Sequence, residues 1–334
     1  MQEVISHGPR SRSEHLSSNS IRCRLAKLFG AVLLSVVPFA APGAQELQAL
    51  QPLDVFDLRW VTSPIVDAQG ERIYYLRNSM DIMQDRRRAN IWTIDVDGGD
   101  HRPLTTGARS VSGPALSPDG TQIAFIDRDE TGSQLFVRWT DGSALAQLTR
   151  LSEAPKHLSW SPDGRWLAFA MRVPEAAPTM GEMPEKPKGA EWAPPAQVVD
   201  RLSYRNDGRG MRPYAFYQLF VMPSDGGAPR QLTEGRFDHD DRLGWSADSK
   251  TLYFSANRGD DRFLNIRNSD LFAVAVSTGE ITRLTERAGP DGSLTVAPDG
   301  ERIAYVGFDD ERLSYQVSRL YVMSSDGSES RELL

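Results

Sequence analysis

The chain has 334 residues, 40% of them hydrophobic and 25% charged, with 27 glycines, 21 prolines and a single cysteine. These proportions exclude a disulfide scaffold, a collagen-like rod and wholesale disorder, and the length suffices for one large core or two ordinary ones. The formal charge is -7, and residues 45–334, with 33 basic and 43 acidic side chains, are more acidic still, so nucleic acid is not an expected partner.

The N-terminus has the order of an export signal. Arg22, Arg24 and Lys27 precede an apolar run of 14 residues, Leu28 to Ala41, and small residues follow as far as Ala44. The run is short for a bilayer span, which predicts a cleaved signal over residues 1–44 and a periplasmic or secreted protein with no membrane contact after cleavage. Cys23 lies before the run. A mature chain would hold no cysteine, so disulfides, thiol catalysis and cysteine–zinc sites are not expected. Residues 45–59 form a short lead-in.

From residue 60 onward one unit recurs: a short apolar strand, Ser-Pro-Asp-Gly, a strand ending in an aromatic, a loop, a third strand, an Asp-Gly turn, then Leu-Thr. The first turn falls at Ala68-Gln69-Gly70, Pro118-Asp119-Gly120, Pro162-Asp163-Gly164, Ala247-Asp248-Ser249 and Pro298-Asp299-Gly300. The third strand carries Ile91-Trp92, Leu135-Phe136, Leu219-Phe220, Leu271-Phe272 and Leu320-Tyr321. Leu-Thr closes the unit at 104–105, 148–149, 232–233 and 284–285, and Leu333-Leu334 ends the chain. Asp-Gly between apolar runs supplies the positive φ of a tight hairpin. A small sheet with two apolar faces stays soluble only by packing against others like it, so the repeat predicts an all-β fold: a β-propeller of WD40-like, PD40-type four-stranded blades. About five are present, near 60–107, 108–150, 151–235, 236–287 and 288–334, and no closing strand is visible, so an incomplete ring is expected.

The third unit is interrupted over residues 173–214. The first half is rich in proline (Pro174, Pro178, Pro184, Pro187, Pro194, Pro195) and reads as an extended loop; the second, Val198 to Gly208, reads as an ordered segment ending in a turn at Asn206-Asp207-Gly208. Asp238-His239-Asp240-Asp241 looks like a metal cluster, but neighbours on an extended segment point to alternate sides and do not converge on one ion. No metal and no cofactor are expected. Arg86-Arg87-Arg88 reads as a solvated loop.

Val198-Val199-Asp200-Arg201-Leu202-Ser203-Tyr204-Arg205-Asn206-Asp207-Gly208, then Gln218-Leu219-Phe220-Val221, Pro229 to Thr233, Trp245 to Asp248 and Ser255 to Arg258 resemble the non-catalytic propeller of prolyl oligopeptidase-family serine peptidases. The similarity runs from about Gln51 to Leu334, and the secreted dipeptidyl-peptidase and acylaminoacyl-peptidase branch is the nearest. In that family an α/β-hydrolase domain carries the Ser, Asp and His. This sequence holds no Gly-x-Ser-x-Gly elbow, so the resemblance implies a substrate-gating propeller without a catalytic triad, its partner a peptide if joined to a hydrolase domain. It also makes Arg201, Tyr204 and Arg205 the candidate substrate contacts, able to hold a carbonyl or carboxylate. The rival expectation is a stand-alone periplasmic propeller of the TolB type that binds other proteins.

Overall fold

The computed structural model describes residues 49–333, with 109, 183 and 195 left out; the expected export signal lies outside the described residues. A short 3-10 helix, Pro52–Asp57, leads into five four-stranded antiparallel sheets in chain order. Blade one comprises Arg59–Val66, Arg72–Asp81, Arg86–Asp95 and Arg102–Pro103, and blade two Ser112–Leu116, Gln122–Arg128, Ser133–Trp139 and Leu145–Gln147. Blade three comprises Pro155–Trp160, Trp166–Pro174, Ala215–Pro223 and Arg230–Gln231. Blade four has Gly244–Trp245, Thr251–Ala256, Asp270–Ala275 and Ile281–Arg283, and blade five Asp291–Val296, Arg302–Gly307, Arg319–Ser324 and Arg331–Glu332. Among the described residues no helix is long and apolar enough to cross a membrane.

The turn motif works through its side chains. In blade two Ser117 Oγ donates to Asp119 Oδ1 at 2.6 Å and accepts from Gln122 N at 3.0 Å, while Asp119 Oδ1 accepts from Thr121 N at 3.0 Å. Ser161 with Asp163, and Ser246 with Asp248, repeat the pattern at 2.6 and 2.7 Å. These bonds favour the charged carboxylate. The Ser161 hydroxyl and the Arg165 N–H groups overcome partial burial and hold Asp163 down at about 2. Gly120 and Gly164 supply the positive φ of 72°; Ser249 takes the same place at 60° and accepts from Asp163 N of the preceding blade at 3.1 Å.

The closing Leu-Thr has an equally local cause. Each threonine hydroxyl accepts the backbone N–H of a third-strand residue 14 positions earlier: Ile91 to Thr105 at 2.8 Å, Leu135 to Thr149 at 2.9 Å, Leu219 to Thr233 at 2.9 Å and Leu271 to Thr285 at 3.0 Å. The hydroxyl then donates to the polar side chain just before, Asn90, Gln134 or Gln218, in the first three blades. Blade four departs from this pattern: its residue there is Asp270, bound instead to Arg283 at 2.7 Å.

Packing occurs between blades. One apolar cluster joins Tyr74, Leu76 and Ile91 to Ile123 and Phe125; a second joins Ala124, Ile126 and Leu135 to Trp160, Leu167 and Phe169. A third joins Leu219 and Val221 to Trp245, Leu252 and Phe254, and a fourth joins Tyr253 and Leu271 to Leu294, Ile303 and Tyr305. Alternation along each strand sends successive side chains to opposite neighbours, which is why one sheet feeds two clusters. Five blades have four such seams among the described residues, and the sheets do not close: blade one keeps Val61 and Val66 exposed and blade five Val306 and Leu333. The all-β propeller with an unclosed ring is therefore the observed fold.

First strands touch between blades one and two, two and three, and four and five, so they gather toward a common axis. Four of them carry a residue in the left-handed region, Ser63, Gly113, His157 and Ser293, beside a shift in register with the second strand. This repeated bulge has no sequence signature in common.

Candidate functional site

The two ends of the blade array differ in chemistry. At one end lie the turns between first and second strands and between third and fourth, made of Asp, Gly and Ser; Arg102 Nη2 reaching Thr140 O at 3.4 Å and Ser249 meeting Asp163 tie these turns blade to blade. At the other lie the hairpins between second and third strands. These expose large apolar side chains in four of the five blades: Ile82 and Met83, then Leu202 and Met211, then Leu264 and Ile266, then Leu313, Tyr315 and Val317, with Met83 at 86% and Tyr315 at 81% exposure. Apolar side chains left to solvent in four hairpins make this end of the blades the candidate binding face.

The insertion belongs to that face. Its stem is a backbone bond from Glu175 N to Tyr214 O at 2.8 Å, and its tip is a hairpin, Arg205–Asn206 against Gly210–Met211, turned by Gly208 at φ 71°. Arg201 Nη2 donates to Arg212 O and Pro213 O, both at 2.8 Å, and its guanidinium stacks on Tyr214 at 4.5 Å. The Tyr214 hydroxyl donates to Asp200, and this bond, which needs the proton kept, raises the phenol above its usual range. Arg212 donates to Ser203 Oγ at 2.7 Å and pairs with Asp238 at 2.9 Å, tethering the segment to the link between blades three and four.

Of the three candidate residues, then, Arg201 is committed to holding the insertion together. Tyr204 and Arg205 are exposed, and among the described residues neither side chain has a hydrogen-bond or ion-pair partner. Tyr204 lines a half-open cavity of about 500 Å³ formed by the insertion. Arg205 stands opposite Met211 in the hairpin register. The sequence named these three residues without showing which were free.

The acidic run 238–241 diverges. Asp238 accepts from Tyr217 N at 3.0 Å; His239 Nδ1 donates to Tyr217 O at 2.8 Å and Nε2 accepts from Arg258 at 2.7 Å. Asp240 pairs with Lys156 Nζ at 2.6 Å and His157 Nε2 at 2.9 Å, and Asp241 accepts from Ser293 N at 2.9 Å. Four adjacent side chains thus bind blades three, four and five together. His239 is fully buried, and this burial, helped by the Arg258 charge, pulls its pKa down to about 4, so the ring is neutral. Asp240 stays below the usual carboxylate range because His157 and Lys156 outweigh its burial. The sequence reading missed this latch.

Residues 201–305 match the sequence profile described as the dipeptidyl peptidase IV N-terminal region. An uncharacterized peptidase of Bacillus subtilis, YuxL, is 30% identical over 205 residues, 61% of this chain and 30% of its own length. Dipeptidyl-peptidase 5 of Porphyromonas endodontalis is 22% identical over 322 residues, 90% of this chain and 45% of that protein. In fold, the acylaminoacyl peptidase of Pyrococcus horikoshii superposes with a TM-score of 0.61 at 16% identity, over 83% of this chain and 40% of that one. The chain spans less than half the length of these relatives. The chain is thus similar, over residues 201–305, to the N-terminal region of dipeptidyl peptidase IV, and it shares its fold with part of an acylaminoacyl peptidase.

Proposed function

We propose that this chain is the substrate-gating part of an exported serine exopeptidase or oligopeptidase, and that its hairpin end is the working face. The observation that carries the reading is the coincidence of the exposed apolar hairpins with the insertion, whose second half falls in the peptidase-type match. A face built this way covers a reaction chamber and admits short chains, while Tyr204 and Arg205 offer a hydroxyl and an unpaired guanidinium to a peptide carbonyl or carboxylate; Arg201 positions the segment that carries them. The basic cluster and apolar run before Ala44 support export to the periplasm or medium. A stand-alone interaction propeller would use the same blades; the match over residues 201–305 favours the peptidase reading.

A triad needs a serine on a strained turn, a base within hydrogen-bond reach and an orienting acid. His101 Nε2 meets the Tyr75 hydroxyl at 2.5 Å, and His157 and His239 face Asp240, Arg258 and a backbone carbonyl, so none of the three faces a serine of that kind among the described residues. Residues 45–334 alone should therefore hydrolyse no aminoacyl or dipeptidyl chromogenic substrate above blank. The protein encoded by the complete reading frame should do so, with a fluorophosphonate probe labelling a serine outside residues 1–334. Labelling of a serine within 45–334, or a complete frame that encodes no hydrolase, overturns the proposal.

A further inference from the structure

The insertion cavity has a specific chemistry. Its volume of about 500 Å³ lies within the usual range for small-ligand sites, about 300–1,000 Å³. Pro178, Val198, Val199, Met211, Pro213 and Tyr214 supply its apolar wall. The charged groups in that wall are already engaged: Asp200 takes the Tyr214 hydroxyl, Arg201 is held by two carbonyls and the Tyr214 ring, and Arg212 is held by Ser203 and Asp238. They need no ligand to satisfy them. What remains open is mainly hydrocarbon, together with the polar side chains of Thr179, Gln197 and Tyr204. Arg205 is not among the lining residues, but its register partner Met211 is, and directly opposed residues in an antiparallel hairpin share a face. An unpaired cation at the edge of an apolar pocket suits a ligand that joins an apolar group to a carboxylate.

We propose that this cavity is a side-chain pocket for peptides, taking an aliphatic or aromatic C-terminal residue while Arg205 meets the terminal carboxylate. The pocket deepens the gating reading, on which the choice of a peptide rests, by assigning selectivity to the propeller itself. Apolar area sets the preference for the side chain, about 25 cal/mol for each Å² removed from water; the guanidinium sets the preference for a free C-terminus.

The purified full chain is titrated with acetyl-Ala-Ala-Phe, with its C-terminal amide and with acetyl-Ala-Ala-Asp, followed by calorimetry. The Phe acid binds saturably, the amide roughly tenfold more weakly, and the Asp peptide not measurably. Val199 is half exposed, so Val199→Asp leaves the fold intact and abolishes binding of the Phe acid. Arg205→Gln removes the difference between acid and amide and keeps the preference for Phe over Asp. No saturable binding of the Phe acid overturns the proposal. So does unchanged binding in Val199→Asp with its melting temperature preserved, or an acid–amide difference that survives Arg205→Gln. Because the readout is binding without hydrolysis, this failure is distinct from that of the gating reading, which the fluorophosphonate experiment decides.

Discussion

Buried hydroxyls do more for these blades than their size suggests. Thr149 accepts the Leu135 N–H and donates to Gln134, with Leu135 and Gln134 both fully buried. Removing the hydroxyl strands an N–H where water cannot reach, and an orphaned buried group costs about 1–3 kcal/mol. Thr149→Val keeps the shape and should lower stability by about that amount in urea denaturation. Thr233→Val, in the same setting in blade three, should match it; a loss under about 0.5 kcal/mol at both would mean the 14-residue clamp is incidental. The Leu-Thr spacing is fully visible in the sequence, because donor and acceptor belong to one blade. Which residue partners the threonine on its other side is only partly visible, since Asn90, Gln134 and Gln218 share polarity but not identity.

Among the elements, the insertion is a separately tethered unit. It touches the rest of the chain through the Glu175–Tyr214 stem, the Arg212–Asp238 pair and the Arg236–Glu175 pair at 2.8 Å. The four interblade clusters contain none of its residues between 175 and 214. Local opening of such a unit is governed by its own few tethers, not by the global free energy. Arg212→Ala removes the bond to Ser203 and the pair with Asp238, so trypsin should cut at Arg201, Arg205 or Arg209 at least about fivefold faster, a shift of roughly 1 kcal/mol in opening. The melting temperature of the blades should move by less than about 2 °C. A large drop in melting temperature instead would show that the tether supports the blades. The proline run and the Asn206-Asp207-Gly208 turn make the insertion legible from its residues; the tether joins residues 26 positions apart, beyond any local pattern.

Two buried ionisable groups sit at seams of the whole array and oppose each other in acid. His239 lies between blades three and four. Unfolded, it takes a proton below about 6.5; folded, it refuses one until about 4, chiefly because it is buried. Stability is therefore lost as pH falls through that window, by about 3 kcal/mol in all. Asp270, nearly buried in blade four, is pushed up to about 6 by the same loss of solvent, against the pull of Arg283. The folded chain accepts that proton from about 6 downward and the unfolded chain only near 3.8, so stability is gained as pH falls, again by about 3 kcal/mol. Burial raises Asp291 of blade five as well, adding to the gain. Wild-type stability should change little between pH 6 and 4. Asp270→Asn restores the neutral side chain found at this place in blades one to three, so it should match or exceed the wild type at pH 7 and lose about 3 kcal/mol more than wild type by pH 4. Urea midpoints at pH 4, 5, 6 and 7 check this; parallel profiles for the two proteins would refute it.

Read alone, the amino-acid order determined the blade, its turns and its closing threonine, because hydrogen bonds within one sheet link positions at constant short spacing and recur from blade to blade, the threonine clamp in four of them. It also marked where the pattern breaks, in blade three. Only the tertiary structure decided which side chains at that break are free. Arg201 and Arg205 are the same residue type in one segment, yet the first is held by carbonyls 11 and 12 positions away while the second has no partner among the described residues. The latch of Asp238 to Asp241 and the register bulges near the axis were likewise settled in three dimensions. The latch depends on groups of other blades arriving at hydrogen-bond distance, and no periodicity within a blade encodes that arrival.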